Sequence, residues 1–141
     1  MMDDSRARLL IGLGALLFLV GLLTGAAIPT FRNPRLGLSS HLEGVMNGTF
    51  LMVLGAVWHR VDLPRVAARL CVALLVYGAF ANWLTTLAAA TFGAGRMTPI
   101  AAGGMTAEPW QEALVAFGLF SLSVAMVVGS CLLVWGLFRR G

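Results

Sequence analysis

The sequence is short of charge and of the residues from which most enzymes build polar active sites. Only 11% of its 141 residues are charged, no lysine occurs, and there are just two histidines, two cysteines and one tyrosine. Hydrophobic residues make up 59%, well above the share typical of a soluble domain. The composition therefore excludes an ordinary soluble protein and predicts an integral membrane protein.

Familiar catalytic and binding motifs are also missing. The sequence contains no HExxH, no HxE followed by PCxxC, no GxSxG and no glycine-rich phosphate loop, so we expect no nucleotide cofactor. Two histidines are too few for an ordinary closed zinc site. Cys71 and Cys131 fall in apolar runs and are expected to pack without a disulfide. The net charge of +4 comes from arginines that flank helices, which argues against a nucleic-acid partner.

What the sequence does contain is long uncharged runs, at residues 9–28, 70–95 and 113–138. Each is long enough to cross a bilayer as a helix, and a fourth run at 41–58 is shorter and partly polar. We predict an all-α fold, a four-helix transmembrane bundle forming one integral membrane domain over residues 1–141. The expected helices cover about 8–28, 41–58, 69–92 and 112–138, with Ser39 and Ser40 capping the second.

The arginines predict the orientation of this bundle. Seven lie at the N-terminus, in the second loop and at the C-terminus, where Arg139 and Arg140 end the last helix. Only three lie in the first and third loops. Because arginine is concentrated in cytoplasmic segments, the multi-pass chain is expected to have both termini in the cytoplasm.

The segment from residue 33 to 58 carries the polar groups that most need an explanation. His41, Glu43 and Asn47 lie in the first half of an otherwise apolar helix, and such groups inside a membrane are usually functional. The antiparallel third helix would bring Asn82 and Thr86 to the same, outer end. The sequence therefore predicts a polar site at that end of the bundle.

Helical geometry separates these groups into two faces. At about 100° per residue, Gly44 and Gly48 lie within about 60° of His41 and form a groove in which a flat molecule could lie. Glu43 points about 160° away from His41 and shares a face with Asn47. If all three polar groups serve one site, two copies of the helix must contribute, which predicts an oligomer.

Each feature also has a structural interpretation. His41 could be a solvated or capping residue, and the glycines could serve helix packing. Asn82 could join helices by a hydrogen bond. His59, at the opposite end of the second helix, is interpreted as an interfacial residue.

Four segments resemble the hydroxylaminobenzene mutases, small bacterial membrane enzymes. They are NPRLGLSSHLEGVMNG (33–48), YGAFANWL (77–84), PIAAGG (99–104) and QEALVAF (111–117). A weaker similarity, through H-x5-N-G on the second helix and A-N on the third, reaches the styrene oxide isomerases. The resemblance implies an isomerase of the bacterial inner membrane that converts hydroxylaminobenzene, a small aromatic substrate, to 2-aminophenol.

The resemblance to the isomerases also implies a homotrimer that holds haem b between protomers, with ferric iron as a Lewis acid. His41 would be the iron ligand, and Glu43 a general base where the epoxide isomerases have glycine. Thr86 replaces their tyrosine, which argues against epoxide opening. The expected site residues are Glu43, Asn47 and Asn82 for catalysis, His41, Gly44 and Gly48 for the cofactor, and Asn47, Asn82, Trp83 and Thr86 for the substrate.

Three alternatives stay open from the sequence. The chain could be a haem-dependent membrane isomerase of aryl epoxides, or an isomerase that uses Glu43 in acid catalysis without haem. It could also be a non-catalytic membrane bundle whose polar end satisfies its own hydrogen bonds.

Overall fold

The computed structural model describes residues 2–139, and no strand occurs within that range. The helices are α1 (Met2–Ala27), α2 (Pro34–Val57), α3 (Arg65–Phe92), the single turn α4 (Pro99–Ala102) and α5 (Pro109–Phe138). Two 3-10 turns, Ile28–Thr30 and Trp58–Arg60, follow α1 and α2. The prediction of an all-α fold is confirmed. Arg140, counted in the charge pattern, lies outside the described residues.

Within residues 2–139, three helical segments are long and apolar enough to cross a membrane: Asp4–Thr30, Arg65–Phe92 and Pro109–Phe138. This supports the prediction of a membrane protein. The helix α2 has 24 residues, a sufficient length, but His41, Glu43 and Asn47 lower its hydropathy.

The long helices pack mainly in chain order, α1 on α2, α2 on α3 and α3 on α5, with a small contact between α1 and α3. No comparable packing joins α1 to α5 among residues 2–139. The main apolar core lies between α1, α2 and α3 and includes Leu10, Leu51 and Leu75, all fully buried. The helices therefore form an open arrangement, which leaves faces of α1 and α5 uncovered within one chain.

The helix α2 begins seven residues earlier than the sequence pattern indicates. Asn33 is its N-cap: the side-chain Oδ1 accepts hydrogen bonds from the backbone N–H groups of Arg35 (3.1 Å) and Leu36 (3.2 Å). The predicted cap at Ser39 and Ser40 is thus wrong, because both residues lie inside the helix. Ser40 is fully buried and donates a hydrogen bond to the carbonyl oxygen of Trp83 on α3 (3.1 Å).

The connecting segments lie at two ends of the molecule. At one end, here called the loop end, are residues 28–33 and 93–108, joined by a hydrogen bond from Asn33 Nδ2 to the carbonyl oxygen of Ala102 (2.9 Å). The other, here called the terminus end, holds the start of α1, residues 58–64 and the end of α5. There the N–H of Asp62 donates to the carbonyl oxygen of Gly136 (2.9 Å).

Candidate functional site

A cavity of about 210 Å³ lies near the loop end, between α2, α3, α4 and α5. One part of its wall consists of leucine, alanine and valine side chains. The other part is polar and is formed by Ser39, Glu43, Asn82, Thr85, Thr86 and Thr98. The polar residues of α2 and α3 that the sequence places at one end therefore do meet, around a partly enclosed space lined by both apolar and polar residues.

Among the residues that the structure describes, Glu43 is the only ionisable one that lines this cavity. Its Oε2 accepts hydrogen bonds from the side-chain amides of Asn47, one turn later on α2 (3.2 Å), and Asn82 on α3. Its other oxygen, Oε1, accepts no hydrogen bond from the residues the structure describes. The two amides hold the carboxylate in one orientation and leave one oxygen available to a bound molecule.

His41 lies on the other face of α2, against α1. Its Nδ1 is 2.8 Å from the carbonyl oxygen of Gly21. Because a carbonyl oxygen can only accept, Nδ1 carries the proton and Nε2 carries the lone pair in the neutral ring. The partly buried imidazole also lies beside Gly25. Within one chain, His41 and Glu43 therefore face different surroundings, as their helical spacing predicts.

Gly44 and Gly48 do not form an open groove in this chain. A Cβ atom at Gly44 would lie 2.6 Å from the Cα of Gly21, and one at Gly48 would lie 2.7 Å from the carbonyl oxygen of Gly14. Both positions are occupied by the backbone of α1, which approaches α2 closely where neither helix has a side chain. The expected open groove is therefore absent within one chain, where helix packing accounts for both glycines, and their assignment to a cofactor stays a prediction.

Trp83 and Thr86 were both predicted to bind substrate, and the structure separates them. Thr86 lines the cavity, and its Oγ1 is within hydrogen-bond distance of the carbonyl oxygens of Asn82 (2.8 Å) and Trp83 (3.0 Å). Trp83 does not line the cavity. Its indole N–H donates to the hydroxyl of Thr24 (3.0 Å), so Trp83 joins α3 to α1.

Glu112, which sequence reasoning left without a role, organises the loop that covers the cavity. Its side chain is only 6% exposed and accepts hydrogen bonds from the backbone N–H groups of Gly95 (3.1 Å), Arg96 (3.0 Å) and Ala107 (2.9 Å). No local pattern indicates these partners, which lie up to 17 residues away. Asn33, by contrast, had a readable signal, since asparagine directly before proline is typical of a helix N-cap.

The short helix α4 brings further residues to the cavity that the sequence did not indicate. Thr98 and Ala101 line it from the loop side, and Ser39 lines it from α2. The loop around α4 turns at Gly93, Gly103 and Gly104, whose φ angles are 71°, 62° and 84°. Residues with side chains rarely adopt such values, so these glycines are required for the loop to close over the cavity.

Comparisons with known proteins place this chain in a family. The family model of styrene oxide isomerase matches residues 6–138. Hydroxylaminobenzene mutase HabB of Ectopseudomonas oleovorans is 54% identical over 136 residues, covering 96% of this chain and 83% of HabB. Hydroxylaminobenzene mutase HabA of the same organism is 42% identical over 127 residues, covering 89% of this chain and 94% of HabA.

No solved structure matches this chain significantly. The family model and both relatives nevertheless cover nearly the whole chain, including α2 and α3 with the residues of the cavity. The chain is therefore an isomerase that belongs to the styrene oxide isomerase family and, within it, to the hydroxylaminobenzene mutases.

Proposed function

We propose that this protein rearranges hydroxylaminobenzene, or a closely related aryl hydroxylamine, to 2-aminophenol. The observation that carries the proposal is the carboxylate of Glu43, held by Asn47 and Asn82 at the wall of a cavity that is also lined by leucine, alanine and valine residues. The two relatives named as hydroxylaminobenzene mutases support the choice of substrate.

The size of the cavity fits this substrate. A cavity of roughly 150 Å³ accommodates benzene, and this one has about 210 Å³. The additional volume suits one hydroxylamino group. The ring would lie against the apolar wall and the hydroxylamino group would lie among Glu43, Asn82 and Thr86.

The reaction conserves all atoms of the substrate. The N–O bond breaks, and a C–O bond forms at the ring carbon next to the one that bears the nitrogen. That ring carbon then loses its proton, and the nitrogen gains a proton. Glu43 is the general base that accepts the ring proton, and it can deliver that proton to the nitrogen. Its negative charge also stabilises the positive charge that develops on the ring as the N–O bond breaks.

The asparagines have different parts in this proposal. Asn82 lines the cavity and has a carboxamide oxygen and a second N–H with which to orient the hydroxylamino group. Asn47 touches Glu43 and does not line the cavity, so it is a positioning residue.

His41 is the residue that would hold haem b. A metal-bound histidine usually donates its second ring N–H to a carbonyl or carboxylate, as Nδ1 of His41 does to Gly21. The lone pair of Nε2 then points away from that bond. When bound, ferric haem would supply a Lewis acid that polarises the N–O bond.

The two faces of α2 support a homotrimer or another symmetric oligomer. His41 and Glu43 face different surroundings in one chain, and Gly44 and Gly48 are covered by α1. A site that uses both side chains would therefore combine His41 of one protomer with Glu43 of the next.

The membrane location supports the same function. We propose that α2 also crosses the membrane, so that four helices span a bacterial inner membrane and both termini lie in the cytoplasm. A shallow crevice between α3 and α5 shares Thr85 and Val115 with the cavity and is lined by exposed Leu84, Leu114 and Phe117. An apolar aryl substrate could pass from the bilayer through this crevice.

Absorption and activity of the purified protein test the proposal together. The parent protein should show a Soret band and convert hydroxylaminobenzene to 2-aminophenol. The variant His41→Ala should lose both, whereas His59→Ala, an exposed histidine at the terminus end, should keep both. Colourless parent protein that does not convert hydroxylaminobenzene would overturn both the haem and the substrate in this proposal.

A second candidate keeps the isomerase and omits the haem. It is favoured by one observation, that the cavity containing Glu43 does not include His41. In this case Glu43 acts in acid–base catalysis alone. Activity that survives complete removal of iron, with His41→Ala fully active, would select this candidate.

A further inference from the structure

A second, larger groove lies between α1 and α3 and is separate from the Glu43 cavity. Its volume is about 460 Å³, and its apolar walls are Leu9 and Leu13 on α1 with Val72, Ala73 and Val76 on α3. None of these residues lines the Glu43 cavity. The groove exists because α1 and α3 both pack on α2 and only slightly on each other.

Two arginines lie at one end of this groove. Arg6 lies in the first turns of α1 and Arg69 in the first turns of α3. Both residues therefore line the groove at the terminus end of the molecule. Tyr77 marks the opposite end of the lining. Eight residues of helix separate Arg69 from Tyr77, which gives the groove a length of about 12 Å. It is thus cationic at its mouth and apolar along its length.

The groove has the charge pattern and apolar lining of a site for an anionic amphiphile. Both helices that form it are long and apolar enough to span a membrane, and their arginines lie near the ends of those spans. Basic residues at the end of an apolar groove between membrane helices attract anionic lipid headgroups, while the apolar walls cover an acyl chain.

We propose that the groove between α1 and α3 binds an anionic phospholipid, with one acyl chain along Leu9, Leu13, Ala73 and Val76 and the phosphate beside Arg6 and Arg69. This inference does not rest on the proposed reaction. A protein inactive on hydroxylaminobenzene would still be expected to hold the lipid.

Lipid retention by the full-length protein tests the proposal. Purified protein in neutral detergent is mixed with dioleoylphosphatidylglycerol or dioleoylphosphatidylcholine, and bound lipid is counted by native mass spectrometry. We expect selective retention of phosphatidylglycerol. The double variant Arg6→Gln with Arg69→Gln should lower its affinity roughly thirtyfold, at about 1 kcal/mol per arginine.

Arg139→Gln is the matched control, because it removes an arginine from the same end but outside the groove, where Arg139 lies near Asp62. It should bind phosphatidylglycerol as the parent does. Equal retention of the two lipids, or unchanged affinity in the double variant, would overturn the proposal.

A second variant tests the acyl-chain part separately and keeps both arginines. Ala73 is exposed on the groove wall, so Ala73→Trp fills the groove without disturbing the core. It should abolish lipid retention. Retention by Ala73→Trp, or full displacement of the lipid by inorganic phosphate, would reject an acyl-chain site. Efficient disulfide cross-linking of Ala73→Cys between protomers would show that a second copy occupies the groove instead.

Discussion

Glu43 combines two properties that are rarely found together in a membrane helix. It is an ionisable group among apolar residues, yet its orientation is fixed by amides from two helices, Asn47 and Asn82. Such hydrogen bonds compensate in part for the loss of water around a carboxylate. Glu43 is therefore held in one orientation at the cavity wall, which supports the role proposed for it.

The substitution Glu43→Gln separates the charge of this residue from its shape. Glutamine keeps a carbonyl oxygen that can accept from Asn47 and Asn82, so the fold should be retained. Loss of a general base usually lowers a rate by about 10²–10⁴-fold, and we expect kcat on hydroxylaminobenzene to fall by that much. Steady-state kinetics measure this, with Asp62→Asn as a control far from the cavity. Unchanged kcat would exclude Glu43 as the base.

For single residues, the sequence predicts well in which direction a side chain points from its helix. It predicts poorly which residues contact that side chain. The spacing of His41 and Glu43 on one helix was enough to place them on different faces. The neighbours of Gly44, Gly48 and Trp83 were not predictable, because they are set by the packing of α1. Helical periodicity gives the angle of a side chain but not the element that lies there.

At the scale of helices, α1 and α2 pack closely together because glycines lie on the facing sides of both. Gly14, Gly21 and Gly25 of α1 face Gly48, Gly44 and His41 of α2, respectively. At Gly14, Gly21, Gly44 and Gly48 the close approach places backbone against backbone, so a methyl group added there must displace a helix.

Gly48→Ala and Gly12→Ala form a matched pair of variants for this seam. A Cβ at Gly48 would meet the backbone of Gly14 and Phe18, whereas nothing lies within 4 Å of a Cβ at Gly12. We expect Gly48→Ala to lower the free energy of unfolding by about 1–3 kcal/mol. Gly12→Ala should leave it unchanged or raise it by up to about 1 kcal/mol. Thermal unfolding in detergent measures both, and equal effects would contradict the close packing.

The side chain of Glu112 holds the loop of residues 93–108 by accepting hydrogen bonds from its backbone N–H groups. Asn33 does the same for the first turn of α2. Glu112→Gln keeps the size of the side chain but removes the charge and one acceptor oxygen. Loss of hydrogen bonds to a buried carboxylate should lower stability by about 2 kcal/mol. We expect faster proteolysis in this loop and a higher KM, since Thr98 and Ala101 line the cavity. Asp62→Asn, at an exposed pair, should cost less than about 1 kcal/mol.

The elements themselves were predictable from hydropathy, with clear limits. The three most apolar helices follow directly from long uncharged runs. The start of α2 was missed because residues 34–40 carry arginine, glycine and serine, and their helicity depends on the cap at Asn33. The single turn α4 was predicted as loop, since its four residues have no periodicity to detect.

For the whole molecule, the side of the membrane on which each loop lies can be measured directly. Thr30 and His59 are exposed and lie before and after α2. In a Cys131→Ala background, Thr30→Cys should react with an impermeant maleimide in intact cells, and His59→Cys only after permeabilisation. The buried Cys71 should remain silent. Labelling of both positions from one side would show that α2 does not cross the bilayer.

The division of α2 into a histidine face and a carboxylate face has a genetic consequence. In the proposed oligomer, each active site contains His41 from one subunit and Glu43 from its neighbour. A subunit that lacks His41 and a subunit that lacks Glu43 therefore inactivate different parts of the site. When the two inactive variants are co-expressed, mixed oligomers should contain some active sites with both residues intact. A measurable fraction of the activity should then be restored. Separately purified and mixed after assembly, they would stay inactive.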